Sequence, residues 1–406
     1  MSALWPVGAL LLCVLLSSIP PVLAAGAEGP RVFLWDGTVL QANRQRLREG
    51  DKGLELALAR LEQDARESLE AGPFSVVNKK PTPPSGDKHD YMSQAPYFWE
   101  NPDSTNGLPY VRRDGERNPE IQRISDHRAM DQMANAVETL ALAYYFKRDE
   151  VYADKAAQLL RAWFFDPATR MNPNLQYAQA VLGVNDGRGI GLIESRALTQ
   201  VVDAVGLLAG SKAWTEADQQ KLQGWFELFL GWMRRSKNGR DEAAAKNNHG
   251  TYYDVQAASY ALFLGKPELA TEIVLTAREK RIAVQIGPDG RQPLELVRTR
   301  AWGYSVGNLS GLMSLATLGE RMGVDLWDYQ TADGRSIRKA LDYLAPFCLG
   351  EQKWPHQQIG GWPPQMLYPL LRQAAVKFKE EKYQEWAGKV PAMEEGDRGN
   401  LLRSGK

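Results

Sequence analysis

The chain has 406 residues, 49 Lys plus Arg against 49 Asp plus Glu, and only two cysteines, a length that suits one large domain or two small ones and excludes a small disulfide-stapled scaffold. A formal charge of zero argues against a general nucleic-acid binder, whose affinity rests on a basic excess, so any polyanion it handles must meet a local cluster. The 24% charged and 44% apolar residues are ordinary for a soluble globular protein, while 12 Trp and 15 Tyr beside 36 Gly point to many turns and to aromatics that stack on sugar rings or fill a core.

In chain order, the apolar run Val7–Leu16 followed by Ser17-Ser18-Ile19-Pro20-Pro21 and Val22-Leu23-Ala24-Ala25 reads as a signal peptide over 1–25, cleaved after Ala24 or Ala25. No Lys or Arg precedes the run, and a membrane anchor is the alternative, but the run is short and broken by two prolines. The expectation is a periplasmic or secreted protein with no stable membrane anchor after cleavage. Cys13 leaves with the signal, so Cys348 alone remains and no internal disulfide can form.

From Leu40 the dominant period is helical. Met133, Val137, Leu140 and Tyr144, then Tyr152, Ala156, Leu159 and Trp163, recur at i, i+3/i+4, i+7 and i+11, predicting a hairpin across Lys147-Arg148-Asp149. Further helical runs are expected at roughly 190–209, 215–235, 252–264, 268–283, 303–322, 334–347 and 363–381, separated by Gly, Pro or Asn. Consecutive amphipathic helices with short links and no sustained period-two alternation predict an all-α chain, stacked hairpins closing into an (α/α) toroid over 26–390. Residues 391–406 are expected to be a flexible tail.

Two segments break the helical pattern. Residues 74–128 are rich in Pro, Gly, aromatics and charge, and residues 169–189 form a second polar loop; loops that long in a compact domain are usually working parts or linkers. Next, Asn247-Asn248-His249 stands just before a helical run, so the asparagines can cap it and His249 falls in its first turn. Alone, the tripeptide reads as a cap with a satisfied histidine. Downstream, the Gly287-Pro288-Asp289-Gly290 turn leads to Glu295, Arg298, Arg300, Trp302 and Tyr304 as the chain re-enters a helix.

Taken together, Asp87-Lys88-His89-Asp90-Tyr91-Met92-Ser93, the stretch Gly107 to Gly115, Asn247 to Tyr253, Arg298-Thr299-Arg300 with Tyr304, and Asp325 to Ser336 resemble the alginate lyase superfamily of polysaccharide lyases. The resemblance covers about residues 70–350 and is nearer to the family-38 uronate lyases than to the family-5 mannuronate lyases. It implies an (α/α) toroid and β-elimination of an anionic β-1,4-linked uronan, polymannuronate, mixed alginate or glucuronan. It also places Asn248, His249, Arg298 and Tyr304 at the family's catalytic positions.

Those residue types suit the chemistry. Elimination across C4–C5 of a uronic acid removes a weakly acidic C5 proton beside a carboxylate that gains negative charge in the transition state, and that charge needs pre-aimed donors. An Asn amide, a His ring and an Arg guanidinium are donors of this kind. A neighbouring Arg is expected to lower the Tyr304 hydroxyl from its usual value near 10 toward a usable base. Tyr304 is expected to take the C5 proton and return one to O4, with His249 as the alternative base. Arg300, Trp302, Gln176, Arg188, His89, Tyr97, Trp99 and His127 are candidate substrate-binding residues, whereas His356 reads as structural. No cofactor is expected, and no His-x3-His, Cys pair or Asp-rich calcium loop suggests a metal. Two other classes remain open: a glycoside hydrolase using two of Asp126, Glu194, Asp254 and Glu295, and a non-catalytic polysaccharide-binding protein.

Overall fold

The computed structural model describes residues 29–361, 363–390 and 396–403; the expected signal segment lies outside them. Its helices are α1 Gly37–Arg48, α2 Lys52–Leu69, α3 Asp126–Lys147, α4 Glu150–Phe164, α5 Leu198–Leu207, α6 Glu216–Arg235, α7 Lys237–Ala243, α8 Asn248–Phe263, α9 Pro267–Ala277, α10 Ala283–Gln285, α11 Pro293–Leu296, α12 Ala301–Glu320, α13 Ile337–Cys348, α14 Tyr368–Phe378 and α15 Glu381–Lys389. The hairpin expected around Lys147 is α3–α4, ended by Arg148 in the left-handed region and restarted by the Asp149 cap. Elsewhere the expected helices recur with shifted ends, and α9 runs into α10 through one π-helical stretch, Arg278–Ile282.

Burial sorts these helices into two layers. α3 packs on α5, α5 on α8 and α8 on α12, and these helices are buried on most sides: α8 buries every residue from Tyr253 to Phe263. A helix that is apolar or buried all round belongs inside. Helices such as α2 and α13, which bury one stripe only, pack outside them, α2 on α3 and α13 on α12. The result is the (α/α) toroid, with one continuous core running through Trp163, Phe226, Phe229, Tyr260, Trp302 and Leu341. Among the described residues no helix is long and apolar enough to cross a membrane.

The two irregular segments are ordered by short strands, β1 Met92–Gln94, β2 Phe98–Trp99, β3 Val111–Arg112 and β4 Tyr177–Ala180. β1 pairs in parallel with β4, and β2 pairs with β3 as a hairpin, so each long loop fastens the other or itself. Beneath them Lys79 and Asp126 form an ion pair of 3.0 Å with neither side chain exposed. Asp90 accepts from Ser85, Asn172 and Asn174. The expected fraying of the C-terminus does not extend to Arg398–Leu402, a 3-10 turn with Leu401 fully buried. There the Asn43 amide of α1 donates to the carbonyls of Leu401 and Arg403. Cys348 is buried, with its thiol pushed up to about 11 by burial.

Candidate active site

The first turns of three inner helices, the 93–98 and 112–124 stretches and the turn after β4 enclose one cavity of about 1100 Å³. His127 and Arg128 come from α3, Asn248, His249 and Tyr252 from α8, and Tyr304 from α12. Helix N-termini carry unpaired N–H groups and a partial positive charge, which favours anions there. The side chains act in the same sense: Arg112, Arg117, Arg128, Arg188, Arg196, Arg298 and Arg300 line the cavity, against Asp131 and Glu194. A chain of zero net charge therefore carries a local arginine cluster at this cavity.

Asn248 opens α8 because Asn247, in extended conformation, caps the helix by accepting from the His249 N–H. The Asn248 backbone N–H and amide nitrogen both donate to the buried Glu295 carboxylate, at 2.7 Å and at 2.9–3.0 Å. Burial raises the Glu295 carboxyl above its ordinary value, opposed by its bonds from Asn248 and by Arg298 and His249. His249 Nδ1 lies 2.8 Å from Glu242 Oε1 of α7, a carboxylate only 1% exposed. A carboxylate accepts only, so Nδ1 carries the proton and Nε2 is the nitrogen left for a ligand.

Arg298 sits between α11 and α12 and gives Nε and Nη2 to Asp114, which also accepts from the Thr299 N–H. These partners hold the Asp114 carboxyl well below the usual carboxylate range despite its desolvation. The guanidinium carbon stands 3.8 Å from the centre of the Tyr304 ring, and the Tyr304 hydroxyl is 2.8 Å from that of Tyr97. Here the sequence expectation is corrected. The Tyr304 hydroxyl is raised, not lowered: burial dominates, the Tyr97 bond adds to it, and Arg298 opposes both without prevailing. Asp114 also balances much of the charge that Arg298 was expected to lend.

Of the expected binding residues, Tyr97, His127, Arg188 and Arg300 line the cavity. Arg188 donates to the carbonyl and side-chain oxygens of Gln179 and covers the Phe98 ring. Gln179 itself sits at φ +49, a left-handed conformation that a non-glycine residue adopts only when its surroundings fix it. The other four are elsewhere. Trp302 is fully buried and donates from its indole to the Pro363 carbonyl, so it is core. His89 is tied to the Arg170 carbonyl, Trp99 to the Glu116 carbonyl, and the exposed Gln176 uses its backbone to hold Asn238; none of the three lines the cavity. His356 bonds the Tyr343 hydroxyl outside the cavity, as a structural histidine would.

Sequence reading missed Glu242, Asp114 and the backing role of Glu295. Its signal was present in the acidic residues near each motif, but pairing across 47 or 184 positions has no local pattern. Of the four carboxylates open to a hydrolase, Asp126 is spent on Lys79, Asp254 on Arg281 and Glu295 on Asn248. Only Glu194 lines the cavity, and it accepts from Tyr91 and Ser93. Among the described residues no group of three or more His, Cys, Asp or Glu side chains is placed to hold a metal ion.

Comparison with known proteins gives a consistent result. A family model of alginate lyases matches residues 75–354. The structure is similar to that of an alginate lyase from Bacteroides ovatus, with 38% identity, a TM-score of 0.89, and coverage of 92% of this chain and 99% of that one. It shares its fold with alginate lyase A1-III from Sphingomonas species A1, at 18% identity and a TM-score of 0.58 over 93% of this chain and 97% of that one. A complex of A1-III with a tetrasaccharide matches at 17% identity and a TM-score of 0.57, over 92% of this chain and 96% of that one. No curated protein sequence matches.

Proposed function

The chain belongs to the alginate lyase family and is a polysaccharide lyase, and we propose that it cleaves β-1,4-linked uronans by β-elimination at the cavity built from Asn248, His249, Arg298 and Tyr304. The observation that carries this reading is the convergence of those four side chains on one arginine-rich cavity, three of them held from behind by a buried or half-buried carboxylate. Groups fixed in advance lower the barrier because they need no reorganisation as charge develops.

The substrate carboxylate is met by donors from Asn248 and Arg298, which stabilise the extra negative charge as the C5–H bond breaks, while His249, its proton on Nδ1, presents Nε2 beside them as an acceptor. Tyr304 handles the protons. Its raised hydroxyl stays protonated near neutrality, which suits delivery to the O4 leaving group. It needs no prior ionisation to act as base, provided its own proton moves to O4 as the C5 proton arrives: the C4–O4 bond breaks, a C4–C5 double bond forms, and the phenol ends neutral. That exchange requires the C5 hydrogen and O4 on one face of the ring, as in mannuronate and glucuronate. Guluronate has the opposite C5 configuration and needs a base on the other face, a role for His249 through Nε2.

The experiment is the rate of appearance of the conjugated, ultraviolet-absorbing unsaturated end on polymannuronate, glucuronan and polyguluronate blocks. Polymannuronate or glucuronan should lead. A clear lead for polyguluronate would overturn the one-tyrosine route, and reducing ends without the chromophore would overturn elimination in favour of hydrolysis. We further propose export to the periplasm or medium, supported by the Val7–Leu16 run before Ala24 and Ala25; an unprocessed N-terminus on the protein recovered from its native cells would overturn it.

A further inference from the structure

Buried carboxylates stand behind the cavity's donors, and the one at Asn248 has a consequence that its geometry makes specific. The Asn248 amide nitrogen lies 3.0 and 2.9 Å from the two oxygens of Glu295. Two oxygens of one carboxylate subtend too narrow an angle at that nitrogen to engage both of its hydrogens, so one N–H is shared between them and the other stays free. The same carboxylate takes the Asn248 backbone N–H at 2.7 Å, at the start of α8, where an anion is favoured. Glu295 is 1% exposed, and it does not line the cavity that Asn248 lines.

An ionised carboxylate is acceptor-only, whereas an amide has one donor arm and one acceptor arm that differ little in shape. With the Asn248 amide turned over, its oxygen would face the Glu295 oxygens, acceptor against acceptor in a buried place, which is costly. We propose that Glu295 is a positioning residue which locks the Asn248 amide in one orientation, keeping its second N–H for the carboxylate of the substrate. The inference rests on the elimination reading above. It also gives Glu295 a task distinct from that of a hydrolytic acid, since it acts through Asn248 and touches no substrate.

A pH dependence follows. Protonated, Glu295 becomes a donor as well and accepts either orientation of the amide, so the lock opens as pH falls through the Glu295 value. Burial raises that value, while Arg298 and His249 face the group and oppose the rise; the Tyr252 hydroxyl also feels its charge. Activity governed by Glu295 is therefore present above its raised value and lost below it.

The test is a double-mutant cycle on the full chain, read by release of unsaturated ends. Glu295→Gln keeps the shape, but its new NH2 faces the Asn248 NH2, donor against donor, and should turn the amide over. We expect kcat to fall about 30-fold with KM within about threefold, the effect of misplacing one charge-stabilising donor. The acid limb belonging to Glu295 should disappear. In an Asn248→Ala background the same change should cost less than about twofold, because there is no amide left to orient.

Independent losses in the two backgrounds, or a Glu295→Gln enzyme within about twofold of the parent with its acid limb intact, would overturn the proposal. Should the Gln chain fail to fold, Glu295→Asp, whose shorter arm draws the carboxylate back from the Asn248 amide, takes its place: it should lower kcat in the parent background and cost less than about twofold in Asn248→Ala, and equal losses in the two backgrounds would overturn the proposal. The side-chain amide resonances of Asn248, identified by their loss in Asn248→Ala, separate this inference from the reading beneath it. They should titrate with Glu295 in the parent and not in Glu295→Gln even if no uronan proved to be a substrate; resonances indifferent to both would overturn the lock while leaving elimination standing.

Discussion

Asn248, His249 and Tyr304 stand on the first turns of α8 and α12, helices buried on nearly every side. Tyr97, Gln179 and Arg188 reach the same cavity from strands of two to four residues and the turns beside them, and Asp114, just after β3, backs Arg298 from outside it. The helical part holds its groups by packing: their backbones cannot move without opening the core. The loop part holds its groups by hydrogen bonds and charge, through Asp114 on Arg298 and Thr299 and Tyr97 on Tyr304. Chemistry placed on rigid elements and trimmed from loops is a general arrangement for sites that need sub-ångström placement. The difference teaches that a single bond can join two residues of very unequal importance.

The Tyr97–Tyr304 bond offers the sharpest way to break that comparison. Tyr304→Phe removes the oxygen that moves both protons on mannuronate and glucuronate and keeps the ring under Arg298, so turnover on those polymers should fall about 1000-fold, roughly 4 kcal/mol of barrier, while polymer binding persists. A variant within about tenfold of the parent would show that Tyr304 does not transfer the proton. Asp114→Asn tests the loop part at its most charged point. It loosens the grip on Arg298 without removing it, and kcat/KM should fall about 30-fold, roughly 2 kcal/mol. No change there would mean that Arg298 is held by its stacking on Tyr304 alone. Tyr97→Phe takes away the other hydroxyl of the shared bond, and its expected cost is smaller still, about threefold. If Tyr97→Phe proved as damaging as Tyr304→Phe, the two hydroxyls would have to work as one relay and the division between helix and loop would fail.

The same division decides what was legible in the sequence. The toroid could be read because helices announce themselves by period, as Met133, Val137, Leu140 and Tyr144 do, whereas Asn248, His249, Arg298 and Tyr304 are singled out by the resemblance of the motifs around them to alginate lyases, since period alone reads them as a helix cap, a solvated arginine and a core tyrosine. The long loops could be read as loops, but period says nothing about which of their residues turn inward. Hence Tyr97 and Arg188 reach the cavity, while His89 and Trp99 from similar stretches do not. Trp302 misled for a different reason: a large aromatic beside catalytic positions serves a core as well as a sugar, and here it packs edge-on against Trp354. The direction of the Tyr304 shift was not legible at all, since it depends on burial and on Asp114, which lies 184 positions before Arg298 in the chain.

The smallest expected effect concerns how the loop part is anchored. Asp126, at the start of α3, accepts from the Met92 N–H of β1 and pairs with Lys79, so it ties the 79–94 segment to the inner ring. Burial outweighs both partners and raises its carboxyl to about 6, whereas in the unfolded chain an aspartate titrates near 4. Between those values the folded chain holds a proton that the unfolded chain has released. Stability contributed through Asp126 is then greatest below about pH 4 and declines as pH rises to about 6, at most about 1.4 kcal/mol for each unit separating the two values. Asp126→Asn cannot titrate. It should flatten the change in melting temperature between about pH 4 and 6, so that the difference between the two chains moves in favour of Asp126→Asn as pH rises through that window. The elimination rate per folded molecule should stay close to that of the parent, since Asp126 does not line the cavity. A parent chain whose melting temperature rises with pH across that window, with the rise lost in Asp126→Asn, would mean that Lys79 outweighs burial and that the loops are anchored by a true buried ion pair.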